Sequence, residues 1–450
     1  MPAVSRAASY HTAGFCLGSH EIELGRTGIH DINGRMNPAH TRHRPSLPEI
    51  GFTEFVTLVA SIMAINALAI DTMLPALPAI VRSFQIANPN QAQWVITFYL
   101  VGFAFGQLLY GPISDRFGRR KILLGCLATY CVLCLFAGLA TSFTGLLLAR
   151  CLQGITCAGT RVLSVAIVRD RYSGAPMARV LSLTFIVFLT VPILAPSIGQ
   201  LILQFAPWTG IFYFLSAFSL FVFLWSYLRL RESLHPEYRR SLSIRSISQA
   251  WGAVLGSRVS LGYTGAVTLM FGALFGFLNS IQQIYADVFH APQRFPIMFA
   301  IAAGTMAVGA LLNSSIVVRM GMRRVSHAAA ICFVVLSGTH ALIAFLGRDT
   351  EAAFIIFQAC IMGSFALATS NFSAIAIEPL GAIAGSASSS QGFITSLGGA
   401  LLGSAVGQQF NQSTVPMTVG FFTFGALALV MVLMTESGRL FASPRPARGR

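Results

Sequence analysis

Apolar runs close to the ~20 residues that cross a ~30 Å hydrocarbon core recur twelve times between Phe52 and Thr435. They lie near 52–72, 92–112, 122–141, 144–168, 178–203, 208–228, 261–286, 296–317, 327–346, 352–377, 387–408 and 415–435. A water-soluble fold of this length has nowhere to hide so much apolar surface. A bilayer accommodates it, provided each segment satisfies its backbone internally as a helix. Only 10% of residues are charged and 55% are hydrophobic, whereas soluble domains carry roughly a quarter charged residues. The 36 phenylalanines and 41 glycines suit helices that show aromatic surface to lipid and approach one another closely.

A single long connection, about 229–258, divides the runs six and six. The expected organisation is a disordered tail over 1–48, a six-helix half over 49–228, a linker over 229–258, a second half over 259–436 and a tail over 437–450. The halves also resemble each other. AFGQLLYGPISDRFGRR at 104–120 aligns without a gap on AVGALLNSSIVVRMGMR at 307–323, a constant offset of 203. Gly106/Gly309, Ile113/Ile316, Arg116/Arg319, Gly118/Gly321 and Arg120/Arg323 are among the identities. The fold class is therefore an all-α membrane protein, twelve transmembrane helices in two pseudo-symmetric six-helix halves. Parallel repeats of this kind place a substrate site between the halves near mid-membrane.

The formal net charge of +15 invites a nucleic-acid reading, but the positions of the charges argue against it. Of 30 basic residues one is a lysine, Lys121, and nearly all fall in short turns between apolar runs. With the N-terminus inside, 25 of them are cytoplasmic, Arg82, Arg294 and Arg348 are outside, and Arg150 and Arg161 lie within the fourth run. That asymmetry orients the chain in a bacterial inner membrane with both termini in the cytoplasm. Cys131 and Cys134 form a CxxC inside an apolar run with no second pair at zinc-site spacing, so no metal is expected. No GxxxxGK[ST] segment exists, so no nucleotide cofactor or enzymatic activity is expected, and an ion gradient is the remaining energy source. The expected partners are a small-molecule substrate, protons and the lipid bilayer, and the expected state is a monomer.

The segment GPISDRFGRRK, Gly111–Lys121, resembles the signature loop between helices two and three of major facilitator transporters. The resemblance implies conformational gating by Gly111, Asp115, Arg116, Gly118, Arg119 and Arg120. In its local logic, Gly111 and Gly118 permit a tight reversal, Pro112 ends regular helix, and Asp115 sits among arginines. In the family the carboxylate faces the N-terminus of helix eleven, which here opens at Gly385-Ser-Ala-Ser-Ser-Ser390. Val318 stands in place of the acid in the second copy, so such a latch is expected to be one-sided. Further stretches resemble the bicyclomycin-resistance (Bcr/CflA-type) branch of drug:proton antiporters. They include AIDTMLPALPAI (69–80), LLARCLQG (147–154), VPILAPSIGQ (191–200), RESL (231–234) and EPLGAIAGSASS (378–389).

Ionisable groups at membrane depth are costly and are functional candidates by default. Asp71, near the outer end of the first run, is the candidate for proton coupling, with an interfacial acid beside Pro75 as the plainer alternative. Arg150 opens LLARCLQG and matches the buried arginine that proton-coupled relatives carry there; Gln153, one turn on, is placed to share its network. The plainer alternative is an arginine snorkelling to an interface. Arg161 lies about 16 Å further along the helix, and pairing with Asp71 is the expectation for it. Tyr99, Phe98, Gln153, Asn279 and Gln283 are the candidate substrate-binding residues, while His340 reads as packed or interfacial. The function expected is proton-coupled export of small amphipathic compounds or drugs by alternating access. The alternative is a proton-coupled permease for one small metabolite.

Overall fold

The computed structural model describes residues 50–234, 237 and 251–441. The tail expected over 1–48 and the chain end from 442 lie outside the described residues, as does most of the linker. Twelve long helices are described, at positions that follow the apolar runs. In the first six, α1 is Phe52–Asp71, α2 Trp94–Phe117, α3 Arg119–Gly138, α4 Phe143–Arg171, α5 Gly174–Phe205 and α6 Thr209–Arg229. In the second six, α7 is Arg258–Gln283, α8 Phe295–Met320, α9 Met322–Phe345, α10 Glu351–Ile377, α11 Ala384–Gly407 and α12 Val415–Thr435. Eleven of them are long and apolar enough to cross a membrane. The twelfth, α11, opens on a run of small polar residues. A short helix, Leu77–Ser83, extends the far end of α1.

Local chemistry sets the helix boundaries, and it repeats between the halves. The Ser142 hydroxyl accepts from the Gly145 N–H at the start of α4, and Thr350 does the same for Ala353 at the start of α10. The reversal from α2 to α3 is made by Gly118 at φ +98°, and that from α8 to α9 by Gly321 at φ +84°. Both conformations disfavour any residue with a Cβ. These glycines are the pair related by the offset of 203.

Pro112 does not end its helix, contrary to the sequence expectation, because α2 continues through it to Phe117. A membrane helix tolerates the lost N–H of a proline within it. Gly111 is accordingly a helix residue rather than a turn residue.

Within the first six helices α2 packs along α4, α3 along α6 and α1 along α5; within the second six α7 packs on α11 and α12, and α10 on α8 and α9. Two seams join these groups, α2 with α11 and α5 with α8. Small residues make the closest approaches. A Cβ on Gly154 of α4 would overlap the Tyr99 carbonyl of α2, and one on Gly102 would overlap the Cys151 carbonyl. The repeat appears again at Gly106 and Gly309, whose added Cβ would lie 2.5 Å from the Ile155 carbonyl oxygen and 2.7 Å from that of Gly363. Lipid offers apolar groups no reason to leave it, so this close van der Waals fit holds the bundle together. The outer faces stay apolar, as at Phe136 of α3, Phe221 of α6 and Leu342 of α9.

The glycine seam yields a stability prediction. Gly154→Val should cost about 2 kcal/mol or more, because a rigid backbone carbonyl occupies the required space. Gly304→Ala, where nothing lies within 4 Å, should change little. Thermal unfolding in detergent measures both, and equal midpoints for the two variants would contradict the packing account.

Candidate functional site

Arg150 is fully buried in the middle of the first six helices, and no carboxylate lies within ion-pair distance of it among the described residues. Its fork is satisfied by neutral acceptors. Nε donates to the Val95 carbonyl at 3.0 Å, Nη2 to the Ala69 carbonyl at 2.9 Å, and Nη1 to Gln153 Oε1 at 2.9 Å. Gln153 in turn donates to the Leu133 carbonyl at 3.1 Å. The guanidinium lies over the Tyr99 ring, 4.5 Å from its centroid, and 5.9 Å from that of Phe212. One side chain therefore touches α1, α2, α3 through Gln153, and α6. Five donors in a fixed plane suit this arrangement, and an ammonium would not reproduce it.

Asp71 ends α1, two residues beyond the carbonyl that Arg150 holds, and is 6% exposed. Its carboxylate has no hydrogen-bond or ion-pair partner among the described residues. On its other side, a Cβ on Gly199 of α5 would overlap the Thr72 carbonyl. Packed neighbours thus engage the backbone on both sides of Asp71 and leave its side chain alone. The expected Asp71–Arg161 ion pair does not form. Arg161 is exposed on the bare protein and lies 5.9 Å from the Phe103 ring centroid.

Among the other candidates, Tyr99 is fully buried and donates to Asn66 Oδ1 at 2.9 Å. Tyr99 and Gln153 thus meet Arg150 rather than open space, and Phe98 is 36% exposed. Asn279 is fully buried with neither amide atom partnered, and Gln283 lies in a cross-half cluster described below. Asn66, half-buried in α1, was not singled out from the sequence, although a lone amide in an apolar run is a usable signal. His340 is buried against the Phe357 ring and sits 3.2 Å from Asp349, which accepts from the Thr414 hydroxyl.

The second cluster joins the halves, at the end opposite the arginine-rich turns. Asn90 donates to the Gln408 and Phe410 carbonyls at 3.1 and 2.9 Å. Gln93 donates to Gln283 Oε1 at 2.5 Å and to the Gly407 carbonyl at 3.0 Å. Gln283 donates to Asn90 Oδ1 at 2.9 Å, and Gln408 to the Asn90 carbonyl at 2.7 Å. Nearer the middle, Gln107 of α2 donates to the Ser396 hydroxyl of α11 at 2.8 Å. Each of these bonds uses an uncharged carboxamide.

The arginine-rich end is built from ions. Arg119 pairs with Asp115 at 2.6 Å and with Asp170 at the end of α4 at 3.2 Å. Asp115 thus turns to its own helix junction, not to the start of α11. The carboxylate that meets a helix N-terminus is Glu232, just after α6, which accepts the Arg119 backbone N–H at 2.8 Å at the start of α3. Gly118 leaves room for it, since a Cβ there would lie 2.5 Å from Glu232 Oε2. Arg120 donates to the Tyr227 carbonyl, whereas Arg116 is exposed beside Phe117. The second half has a comparable cluster at its turn. Arg323 pairs with Glu436 at 2.9 Å and Glu378 at 3.3 Å, while Val318, in the place of the missing acid, is 84% exposed. The acids there come from other segments, a substitution that aligning the two loops does not reveal.

Removing the Glu232 cap tests this reading. Glu232→Ala should cost about 1 kcal/mol of stability, and Glu232→Gln less, because an amide oxygen still accepts. Thermal unfolding of the two variants is the measurement; equal loss in both would locate the effect in side-chain packing instead.

Comparison with known proteins agrees with this architecture. The family model described as the Major Facilitator Superfamily matches residues 59–403. The chain is 32% identical over 383 residues to an uncharacterized MFS-type transporter, YdgK, of Bacillus subtilis, covering 82% of this chain and 93% of that one. It is 29% identical over 380 residues to a bicyclomycin resistance protein homolog of Haemophilus influenzae, covering 84% and 94%. Among solved structures, the xylose transporter XylE from E. coli, in a partially occluded inward open conformation, superposes with a TM-score of 0.66 at 13% identity, covering 84% of this chain and 97% of that one. With twelve helices, a repeated glycine turn and a family match over most of its length, the chain belongs to the major facilitator superfamily and is a multi-pass membrane protein.

Proposed function

We propose that this transporter exports small amphipathic compounds, drugs among them, in exchange for protons across a bacterial inner membrane, with both termini in the cytoplasm. The observation that carries the reading is Asp71, a buried carboxylate with no hydrogen-bond or ion-pair partner among the described residues. A carboxylate committed to an ion pair has little to gain from a proton; Asp71 is free to exchange one. The bicyclomycin and multidrug resistance names of relatives support export of drugs. The arginine-rich turns support the cytoplasmic placement of that end.

Alternating access then follows from how the bonds are distributed. Every ion pair among the described residues lies within one six-helix half, counting Glu232 and its neighbours with the first. The side-chain hydrogen bonds that cross between halves come from the carboxamides around α2, α7 and α11. Halves stiffened by charge and joined by exchangeable amide bonds suit rocking as rigid bodies about a site between them. Each amide bond that parts at the outer end is replaced by one to water, so opening there costs little net free energy.

Asp71→Asn tests the proposal. In everted vesicles, lipophilic cations and neutral antibiotics should dissipate a preformed pH gradient with the wild-type protein and not with the variant. Thermal unfolding should show the variant folded, since Asp71 holds no partner. Undiminished proton movement in the variant would remove Asp71 from the mechanism. No response of the wild type to any compound would favour a permease for one metabolite.

A further inference from the structure

A cavity of about 510 Å³ opens at the end opposite the arginine-rich turns, with neither Arg150 nor Arg161 in its lining. Its walls come from both halves. The first half contributes the stretch after α1 and the α5–α6 turn; the second contributes Gln282 of α7 and the start of α8. The volume falls in the range of small-molecule sites, and the lining has their usual character, apolar with few polar groups.

Arg82 and Gln282 are among the lining polar groups without a partner among the described residues. Arg82 is exposed, and its guanidinium has no hydrogen-bond or ion-pair partner among the described residues. Gln282 is 5% exposed, and its Oε1 is buried with no hydrogen-bond partner. Its neighbour Gln283 is fully engaged in the bonds that close the halves, so Gln282 sits on the cavity side of that seam. The indole N–H of Trp208 is already given to the Ser83 hydroxyl at 2.8 Å, which leaves that ring to act as an apolar wall. Pro75, Pro78, Pro207 and Pro292 supply further rigid walls. Arg82 is the only charged residue in the lining.

We infer that this cavity binds a small aromatic carboxylate, its anion on the Arg82 guanidinium and its ring between the proline and Trp208 walls. A planar guanidinium is suited to a carboxylate in two-point contact. A flat ring fits between proline and aromatic walls at low entropic cost. A cation finds no counter-charge in the lining, so the site selects against the lipophilic cations proposed as transport substrates. Because both halves form the walls, an occupant holds the outer end closed. This site stands independently of the export proposal.

The test uses the full chain in lipid nanodiscs and 6-hydroxy-2-naphthoate as probe, with binding followed by calorimetry and by quenching of tryptophan fluorescence. Saturable binding is expected, weakened about tenfold or more by Arg82→Gln and by replacing the carboxylate with an aminomethyl group. Trp208→Phe should abolish most of the quenching while calorimetric binding persists, which places the probe in this cavity. Absence of saturable binding up to about 5 mM would overturn the inference. Equal affinity for the aminomethyl analogue, or wild-type affinity in Arg82→Gln, would also overturn it.

Discussion

A guanidinium with no counter-ion lies at the centre of the first six helices, and much of the arrangement around it follows from how its donors are satisfied. Arg150 cannot shed its charge, so burial demands acceptors, and it takes them from backbone carbonyls of α1 and α2 and from Gln153. Those acceptors are dipoles fixed in helices, available only if the helices stand where they do. Gly154, one residue beyond Gln153, permits the approach of α2 that brings Val95 and Tyr99 into reach. Asp71 ends the same helix two residues beyond Ala69 and has no hydrogen-bond or ion-pair partner among the described residues.

Charge and neutral polarity are sorted by task. Ion pairs clamp the turns at one end of each half, where Arg119 gathers Asp115 and Asp170, and Arg323 gathers Glu378 and Glu436. Buried or half-buried ion pairs with extra hydrogen bonds are costly to break once one partner is lost, which suits parts that must keep their shape. The seams use carboxamides, whose bonds exchange with water at small net cost. A transporter has to be stiff within halves and separable between them, and these two chemistries divide the work accordingly. The glycines at Gly118 and Gly321 serve the first task, since each lets a helix begin directly behind a reversal.

The positions of the twelve helices were legible in the sequence because lipid imposes a length and polarity rule on every span, and the rule is local. The repeat at 104–120 and 307–323 was legible for the same reason, as was the buried arginine. What the sequence did not reveal was pairing across distance. Asp115 and the start of α11 looked complementary, yet Arg119 four residues on reaches the acid first. Glu232 was visible only as part of RESL, because its partner, the N-terminus of α3, lies over a hundred residues away. Tyr99 looked like a substrate contact because an aromatic beside a polar run often is one. Its hydroxyl and ring are instead taken by Asn66 and Arg150. The amides of the seam opposite the arginine-rich turns lie at the ends of α2, α7 and α11 and carried no joint pattern before folding.

The central claim is that the amide-bonded end opens and closes while each half stays intact. Spin labels at positions 88 and 411, on either side of that seam in a lipid nanodisc, read it directly by pulsed electron resonance. The account predicts a short interspin distance in the resting protein and a second, longer population that grows with a lipophilic cation. Control labels placed within one half should keep a single distance. A single short distance between 88 and 411 under every condition would contradict the account.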